Sequence, residues 1–504
     1  MRAVRVFILL VTIALVGIAC TPQGDRTLDD TELATSTQNS PAILQQLKPG
    51  PHTPEPVSED DLHTIAESLG AADLPGEEHC YVVPSTVVSS ASHEVMQKII
   101  PGAAVRSENA DPANKEPNPG RAKVWSLPED ESPTAAAQRL RDNGIPAAPL
   151  HIVLPTQKWK FGPGSVAVGS TETEHTGQGT LPDAEGGTVV VIDTGTPKKA
   201  PVTSSVSNWQ GIVPMKFAET ESPNLPPEWI GHGIFIGGIV DRLVEGTTLS
   251  VRSATENYRG TEVFDEQSLV DAIDAAIADG ELQSGGVVNL SLGTYACGTD
   301  DLPLVLATRL AEIAESGQDI AFVAATGNDG HGPDGPAFYP AGFADAEAIG
   351  EVLATLQQGR EGWEAANPDA EWDDIIDPNG EIGASIKALE TLKEALDPTS
   401  WDTGGSAPII AGVGALAYDG TAWVPAQFSN QRAATVWAPG AAIVSAYPGL
   451  DSDYAQWDGT SFATPHVAAI IAGCRSDLTY RGALAELFDE QSDLMTKTDC
   501  KPSP

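Results

Sequence analysis

The chain has 504 residues, 28 of them basic and 70 acidic, for a formal charge of -42. That excess of carboxylates excludes nucleic acid and anionic membrane surfaces as partners, since both are bound through Lys and Arg. It reads as a well-hydrated surface and says little about a substrate, while the length allows a large core with appended segments.

In chain order, Arg2 and Arg5 precede "VFILLVTIALVGIA". This run is short for a spanning helix and is closed by small residues, the pattern of a secretory signal over residues 1–20. In "GIAC", Cys20 stands where a bacterial lipoprotein is cut and lipidated, with Gly17 where that pattern usually has Leu. Lipidation of Cys20 and ordinary cleavage nearby both stay open, so the expected location is exported, as a cell-surface lipoprotein or in secreted form. A lipid of this kind carries several acyl chains and would be the only membrane attachment expected.

Four further cysteines, Cys80, Cys297, Cys474 and Cys500, suit two disulfides with three connectivities. A short C-terminal loop closed by Cys474 and Cys500 is the favoured pair. No CxxC pair or His/Cys spacing suggests a metal, and none is assigned.

Residues 21–77 are rich in Thr, Ser, Gln and Pro and read as a flexible linker. Over 78–157 a small α+β module is expected. "CYVVP", "AKVWSL" and "APLHIVLP" read as strands, and "SPTAAAQRLRDNG" as a capped helix ending at Gly144. From "GGTVVVIDTG" the pattern becomes an α/β alternation within a domain spanning 158–480. "TVVVID", "GGVVNLSLG" and "DIAFVAATGN" are apolar strands, separated by the helices "SLVDAIDAAIADG" and "LPLVLATRLAEIAESG". Such strands predict a mostly parallel sheet covered by helices on both faces, with functional residues at the carboxyl ends of the strands. Asp193, Ser291 and Asn328 all fall there.

Residues 342–405 interrupt this order with 15 acidic and three basic residues and two helix-like stretches, and read as a surface insertion. Covering a cleft, binding a partner and decorating the surface stay open as its roles. "DPNGE" within it reads as a turn rather than a calcium loop. Residues 481–504 form a C-terminal tail.

The chemistry-bearing residues follow from what hydrolysis by a serine requires: a hydroxyl, an imidazole to take its proton, a carboxylate to orient the imidazole, and donors for an oxyanion. Asp193 ends a buried strand, His232 lies between glycines in "GHGIFIGGIV", and Asn328 follows a strand in "AATGNDG". Ser461 opens an apolar helix, whose N-terminus favours developing negative charge. Singly, each reads as well as a turn, a cap or a core residue.

Together, "VVVIDTG", "GHGIFIGGIV", "NLSLG", "AATGNDG", "YPA", "WAPG" and "GTSFATPHVAA" resemble the motifs of the subtilases, the subtilisin-like serine endopeptidases, in that family's order over roughly residues 185–475. The resemblance implies a three-layer subtilisin-like fold, with Asp193 as orienting acid, His232 as general base and Ser461 as nucleophile. It implies Asn328 and the Ser461 N–H as oxyanion donors. Ser291, Leu292 and Gly293 would pair with an extended substrate, and Ala324, Ala325, Thr326 and Gly327 would line the pocket for the residue before the scissile bond. Pro465 and His466 belong to the motif and read as structural. Protein or peptide substrates are implied and no organic cofactor; structural calcium is common among such relatives, but no ligand set is implied here. The 78–157 module is similar in position and size to the family's propeptides, an intramolecular partner. One departure is Ile234, where the family commonly has Thr.

The alternative from another class is a catalytically silent subtilase-like surface binding protein. A serine carboxyl peptidase would carry Glu for His232 and Asp for Asn328, and a lipase would show a Gly-x-Ser-x-Gly elbow; neither is present.

Overall fold

A computed structural model describes residues 72–73, 80–107, 121–155, 168–170, 180–181, 184, 186–195, 227–254, 256–258, 261–263, 265–298, 301–396, 409–447, 454–473 and 478–489. The expected signal, Cys20, Cys474, Cys500 and most of the expected linker lie outside these residues.

The N-terminal module contains β1 (Ala72–Asp73), β2 (Tyr81–Ser89), α1 (His93–Ile99), β3 (Ala104–Ser107), β4 (Lys123–Ser126), α2 (Pro133–Arg141) and β5 (Ala147–His151). All its strand pairings are antiparallel, in a five-stranded sheet centred on β2. Three of its elements were not foreseen. The strand β1 falls inside the expected linker, and α1 and β3 carry no strong period. Helix α1 starts where the Ser92 hydroxyl accepts from the Val95 N–H. At α2 the expected cap is not made, since Ser132 forms no side-chain cap bond and Pro133 alone opens the helix.

The chain then leaves the module through β6 (Leu154–Pro155) and β7 (Val168–Gly169) to β8 (Thr188–Asp193). Next come α3 (Pro227–Leu243), β9 (Thr248–Ser253), β10 (Glu256–Tyr258), β11 (Thr261–Val263), α4 (Glu266–Ala278), β12 (Gly286–Leu290), β13 (Leu292–Tyr295), α5 (Leu304–Ser316), β14 (Ile320–Ala325) and β15 (Phe338–Tyr339). The insertion supplies α6 (Ala346–Ala366), α7 (Trp372–Ile375) and α8 (Glu381–Leu396). The last part holds β16 (Ile410–Tyr418), β17 (Trp423–Pro425), β18 (Val436–Pro439), β19 (Ile443–Ala446), β20 (Tyr454–Trp457), α9 (Thr460–Gly473) and α10 (Tyr480–Asp489).

Strands β17, β16, β14, β12, β8 and β9 lie in that order in a seven-stranded sheet, with β18 also on β16. Every pairing in it is parallel except β16 with β17. The period of two sorts the side chains. Val189, Val191, Val287, Ala321 and Val323 pack with α3 and α9 on one face. Val190, Ile192, Val288, Ile320 and Phe322 pack with α4 and α5 on the other. This is the three-layer, subtilisin-like α/β architecture expected, because strands apolar on both faces need a helical layer over each.

The insertion departs from a free surface excursion. Leu389, Leu392 and Leu396 of α8 join the core under α5. Trp372, Ile376 and Ile382 share a second core with Trp125, Leu140 and Ile145 of the module. The Trp372 indole N–H donates to the Asn143 carbonyl at 2.9 Å, and Lys123 pairs with Glu381 at 2.9 Å. "DPNGE" is a turn whose Asp377 accepts from the N–H groups of Ile382 and Gly383 at the start of α8. Helices α4 and α5 hold the module's other side, where buried Arg121 bridges Asp274 (3.0 Å) and Glu312 (2.8 Å). Finally, Cys80 and Cys297 form a disulfide between module and body. The sequence left this pairing open, and Cys474–Cys500 lies outside the described residues.

Candidate active site

Asp193 is the last residue of β8, and the next turn passes through Gly195 at φ +75°. Its Oδ1 accepts from the Thr194 N–H at 2.7 Å and meets His232 Nδ1 at 2.8 Å. His232 lies in α3. The glycine after it is required by packing, since a Cβ at Gly233 would stand 2.8 Å from the Gly195 carbonyl oxygen. The Gly233 N–H donates to Thr194 Oγ1 at 3.0 Å. A hydroxyl therefore serves this corner although Ile234 stands where the family commonly has Thr; Ile234 itself is buried in the core.

The imidazole is fully buried, with the Trp457 and Phe462 ring centroids each 5.5 Å from its own. With Nδ1–H donated to Asp193, Nε2 is the basic nitrogen, and no described residue hydrogen-bonds to it. Apolar rings on its flanks keep that lone pair from water.

Ser461 is the second residue of α9, in the turn where backbone N–H groups are not used within the helix. Four residues on, Pro465 has no N–H to give the Ser461 carbonyl. The Ser291 hydroxyl takes that place, donating to Ser461 O at 2.7 Å, and the Ser461 hydroxyl donates to Ser291 O at 3.2 Å. Ser291 thus braces the helix start. The neighbouring Leu292 and Gly293 of β13 pair with Pro155 and Leu154 of β6, so the module's last described strand lies on the edge assigned to an extended substrate.

Asn328 follows β14. Its Oδ1 accepts from Thr460 N–H at 2.8 Å and Thr460 Oγ1 at 2.7 Å, which fixes the amide's orientation and leaves the nitrogen as its donor end. Ala324 and Ala325 lie inside the central sheet, paired with Gly412 and Val413. Thr326 Oγ1 donates to the Val413 and Asn430 carbonyls. Gly327 sits at φ +95° against Phe338 and Asn430. The structure thus brings Asp193, His232, Ser461, Asn328 and Ser291 to one end of the sheet. Of the residues expected to line a pocket, it seats Ala324 in the core.

Sequence reasoning missed Asn430. Its Oδ1 accepts from the N–H groups of Asp329 (3.1 Å) and His331 (3.0 Å), and its Nδ2 donates to Thr326 O (2.9 Å) and the Tyr295 oxygen (2.6 Å). It clamps the loop that carries Asn328, yet "FSNQ" bears no local mark of this. The Tyr295 hydroxyl donates to Asp329, and burial followed by that carboxylate raises the phenol well above its ordinary value.

His466 is structural, as read. Its Nδ1 bonds the Phe462 carbonyl at 2.7 Å, and burial, then the charge of Arg242, lower its pKa to about 3, so it stays neutral. Burial alone lowers Arg242 to about 9. Among the described residues, the metal-capable group is His151, Cys297 and Asp301. That nitrogen, sulfur and carboxylate set does not fit calcium, which takes oxygen ligands.

The profile of the Subtilase family matches residues 184–485, and the chain belongs to that family, whose members are serine peptidases. No curated protein matches the chain. Among solved structures, it is similar to a psychrophilic protease at 16% identity and TM-score 0.37, covering 61% of this chain and 83% of that one. It is also similar to the prenylagaramide maturation protease PagA at 17% identity and TM-score 0.33, covering 56% and 73%. A third, the patellamide maturation protease PatA, is 16% identical with TM-score 0.33, covering 61% and 82%.

Proposed function

We propose that the protein is an exported bacterial serine endopeptidase in which Asp193, His232 and Ser461 form the catalytic triad. The carrying observation is the 2.8 Å contact of Asp193 with His232 Nδ1, which leaves a buried Nε2 with no described partner. In the reaction, the Ser461 hydroxyl turns from the Ser291 carbonyl to His232 Nε2, gives up its proton and attacks the scissile carbonyl. The Asn328 amide and the Ser461 N–H, the latter at a helix N-terminus, receive the oxyanion. His232 then returns the proton to the leaving amine, and water repeats the sequence on the acyl-enzyme.

Export, and anchoring through Cys20, rest on the first 20 residues of the sequence. The module acts as an intramolecular inhibitor: β6 covers the substrate edge, and Asp193, His232 and Ser461 are all buried. Cleavage between 156 and 167 would start activation, and the Cys80–Cys297 bond would keep the cut module attached. Cleavage there thus need not free the protease from a lipid on Cys20.

The test compares the full chain with its Ser461→Ala variant, using labelled casein, a fluorophosphonate probe and N-terminal sequencing. Wild type is expected to cleave casein, take the label and show a new N-terminus near residue 160, with the variant doing none of these. A folded wild type that stays unlabelled and inactive after limited trypsin treatment overturns the reading and favours a binding protein.

A further inference from the structure

A buried cluster away from the catalytic residues lies between module and body. Cys80 directly precedes β2 and His151 ends β5, both in the module; Cys297 follows β13 and Asp301 precedes α5, both in the body. None of the four is more than 2% exposed. One ligand atom from each of His151, Cys297 and Asp301 lies within 4.8 Å of the other two, and Cys80 is bonded to Cys297.

The state of the imidazole is fixed by what stands behind it. Glu266 Oε1 faces His151 Nδ1 at 3.3 Å and also accepts from the His151 N–H, while Oε2 accepts from the Val305 N–H at 3.0 Å. A carboxylate so placed holds the proton on Nδ1. That leaves Nε2 as a lone pair, buried and without a hydrogen-bond partner. A carboxylate behind a neutral imidazole is the arrangement that orients and strengthens a histidine ligand to a metal. Arg141 likewise fixes Asp301 through a buried ion pair. A buried nitrogen left unbonded is unfavourable, so the position of Nε2 calls for an occupant.

The donor set is imidazole, carboxylate and, once the disulfide is opened, two thiolates. Zinc takes these in a tetrahedron with bonds of about 2.0–2.3 Å, which puts neighbouring ligand atoms about 3.3–3.8 Å apart. The 4.8 Å envelope contracts to that by side-chain adjustments of about an ångström. Val82, packed on both cysteines, keeps the site dry.

We propose that reduction of the Cys80–Cys297 disulfide creates a zinc site formed by Cys80, Cys297, His151 and Asp301. Module and body are then joined by metal in the reduced state as they are by the sulfur–sulfur bond in the oxidised one. A phosphine and water supply two electrons and two protons, the S–S bond breaks to two thiols, and the phosphine leaves as its oxide. Zinc then displaces the two thiol protons to solvent. The proposal does not depend on the peptidase reading, because binding is read without turnover.

The test uses the full chain with Ser461→Ala, and with Cys20→Ser, Cys474→Ser and Cys500→Ser so that only two cysteines remain. The protein is reduced, freed of phosphine without air, given zinc and passed through gel filtration. Retention of one zinc per chain is expected, with both thiols shielded from maleimide. Cobalt in place of zinc should show a thiolate charge-transfer band. The oxidised protein and the His151→Gln and Asp301→Asn variants in reduced form are expected to retain at least tenfold less zinc. A reduced protein that keeps its circular dichroism but no zinc overturns the proposal. So does zinc that persists in the His151→Gln, Asp301→Asn double variant. Unfolding on reduction with zinc present also overturns it, since the site is then not built.

Discussion

Replacing Trp372 with Ala tests whether the insertion is the seat of the module. Trp372 is 2% exposed, lies in the core shared with Trp125 and Leu140, carries the Arg360 guanidinium 4.5 Å from its ring centroid, and donates to Asn143 O. Truncating a buried Trp costs about 3–5 kcal/mol, which includes the cavity and the lost hydrogen bond. At 1.4 kcal/mol per tenfold, the locally open fraction of the module and α7 should rise by about 10²- to 10³-fold or more. Native-state proteolysis of the Ser461→Ala chain reads this directly, because at low protease the cleavage rate follows the open population. The disulfide stays intact in both proteins, so whole-chain loss of the module does not contribute. Trp372→Phe, which keeps most of the packing but not the N–H, should fall between. A change below about threefold in Trp372→Ala, with cleavage still mapping to the module, would refute the shared core as the hold.

In Gly233→Ala the new methyl meets the Gly195 carbonyl at 2.8 Å, so α3 must move relative to β8; kcat should fall about 100-fold with helix content unchanged, as measured by steady-state kinetics and circular dichroism. His466 has a folded pKa of about 3 against an ordinary 6.5, so between these values the unfolded chain takes up a proton that the folded one refuses. Its contribution is therefore present above about pH 6.5 and lost as pH falls towards about 3. Denaturant titrations across that window should show a slope smaller by up to about 1.4 kcal/mol per pH unit in His466→Gln. Ser291→Ala leaves the Ser461 carbonyl without its 2.7 Å donor and should cost about 1–3 kcal/mol of stability. In Pro465→Ala the restored N–H can serve that carbonyl, so the double variant should be less destabilised than the sum of the two singles, and strict additivity would sink this account.

The body of the fold was legible because its central strands are largely apolar, as in "TVVVID" and "DIAFVAATGN", and the helices between them are amphipathic, as in "SLVDAIDAAIADG". Asp193, Ser291 and Asn328 were legible because they stand at the carboxyl ends of those strands, whereas His232 and Ser461, which lie on helices, were legible only through their motifs. What stayed hidden depends on contacts distant in sequence. Asn430 reaches Thr326 across 104 positions, and Cys80 meets Cys297 across 217. Trp372 looks like an exposed residue among carboxylates in "AEWDDI", and only the module's core gives it a place. Ser291 shows the same limit within a motif. Its position marks a substrate edge, but what its hydroxyl does is set by a proline 174 positions later, which no local window contains.

Three of the module's fastenings answer to different variables, and this bears on how an inhibited peptidase could be opened. The Arg121 ion pairs with Asp274 and Glu312 are buried or partly buried, so salt screens them little. The core around Trp125 and Trp372 weakens with denaturant, and the Cys80–Cys297 bond responds to reductants. Cutting the chain after β6 changes none of them. A cut module held by the disulfide remains at an effective concentration of about millimolar, so even a micromolar intrinsic affinity of β6 for the β13 edge would leave the site more than 99% covered, by about a thousandfold excess over Kd. On the proposed reading, chain cleavage alone would leave most of the site covered, and full activity would require a second event that acts on the hold itself, such as digestion of the module or reduction of the disulfide.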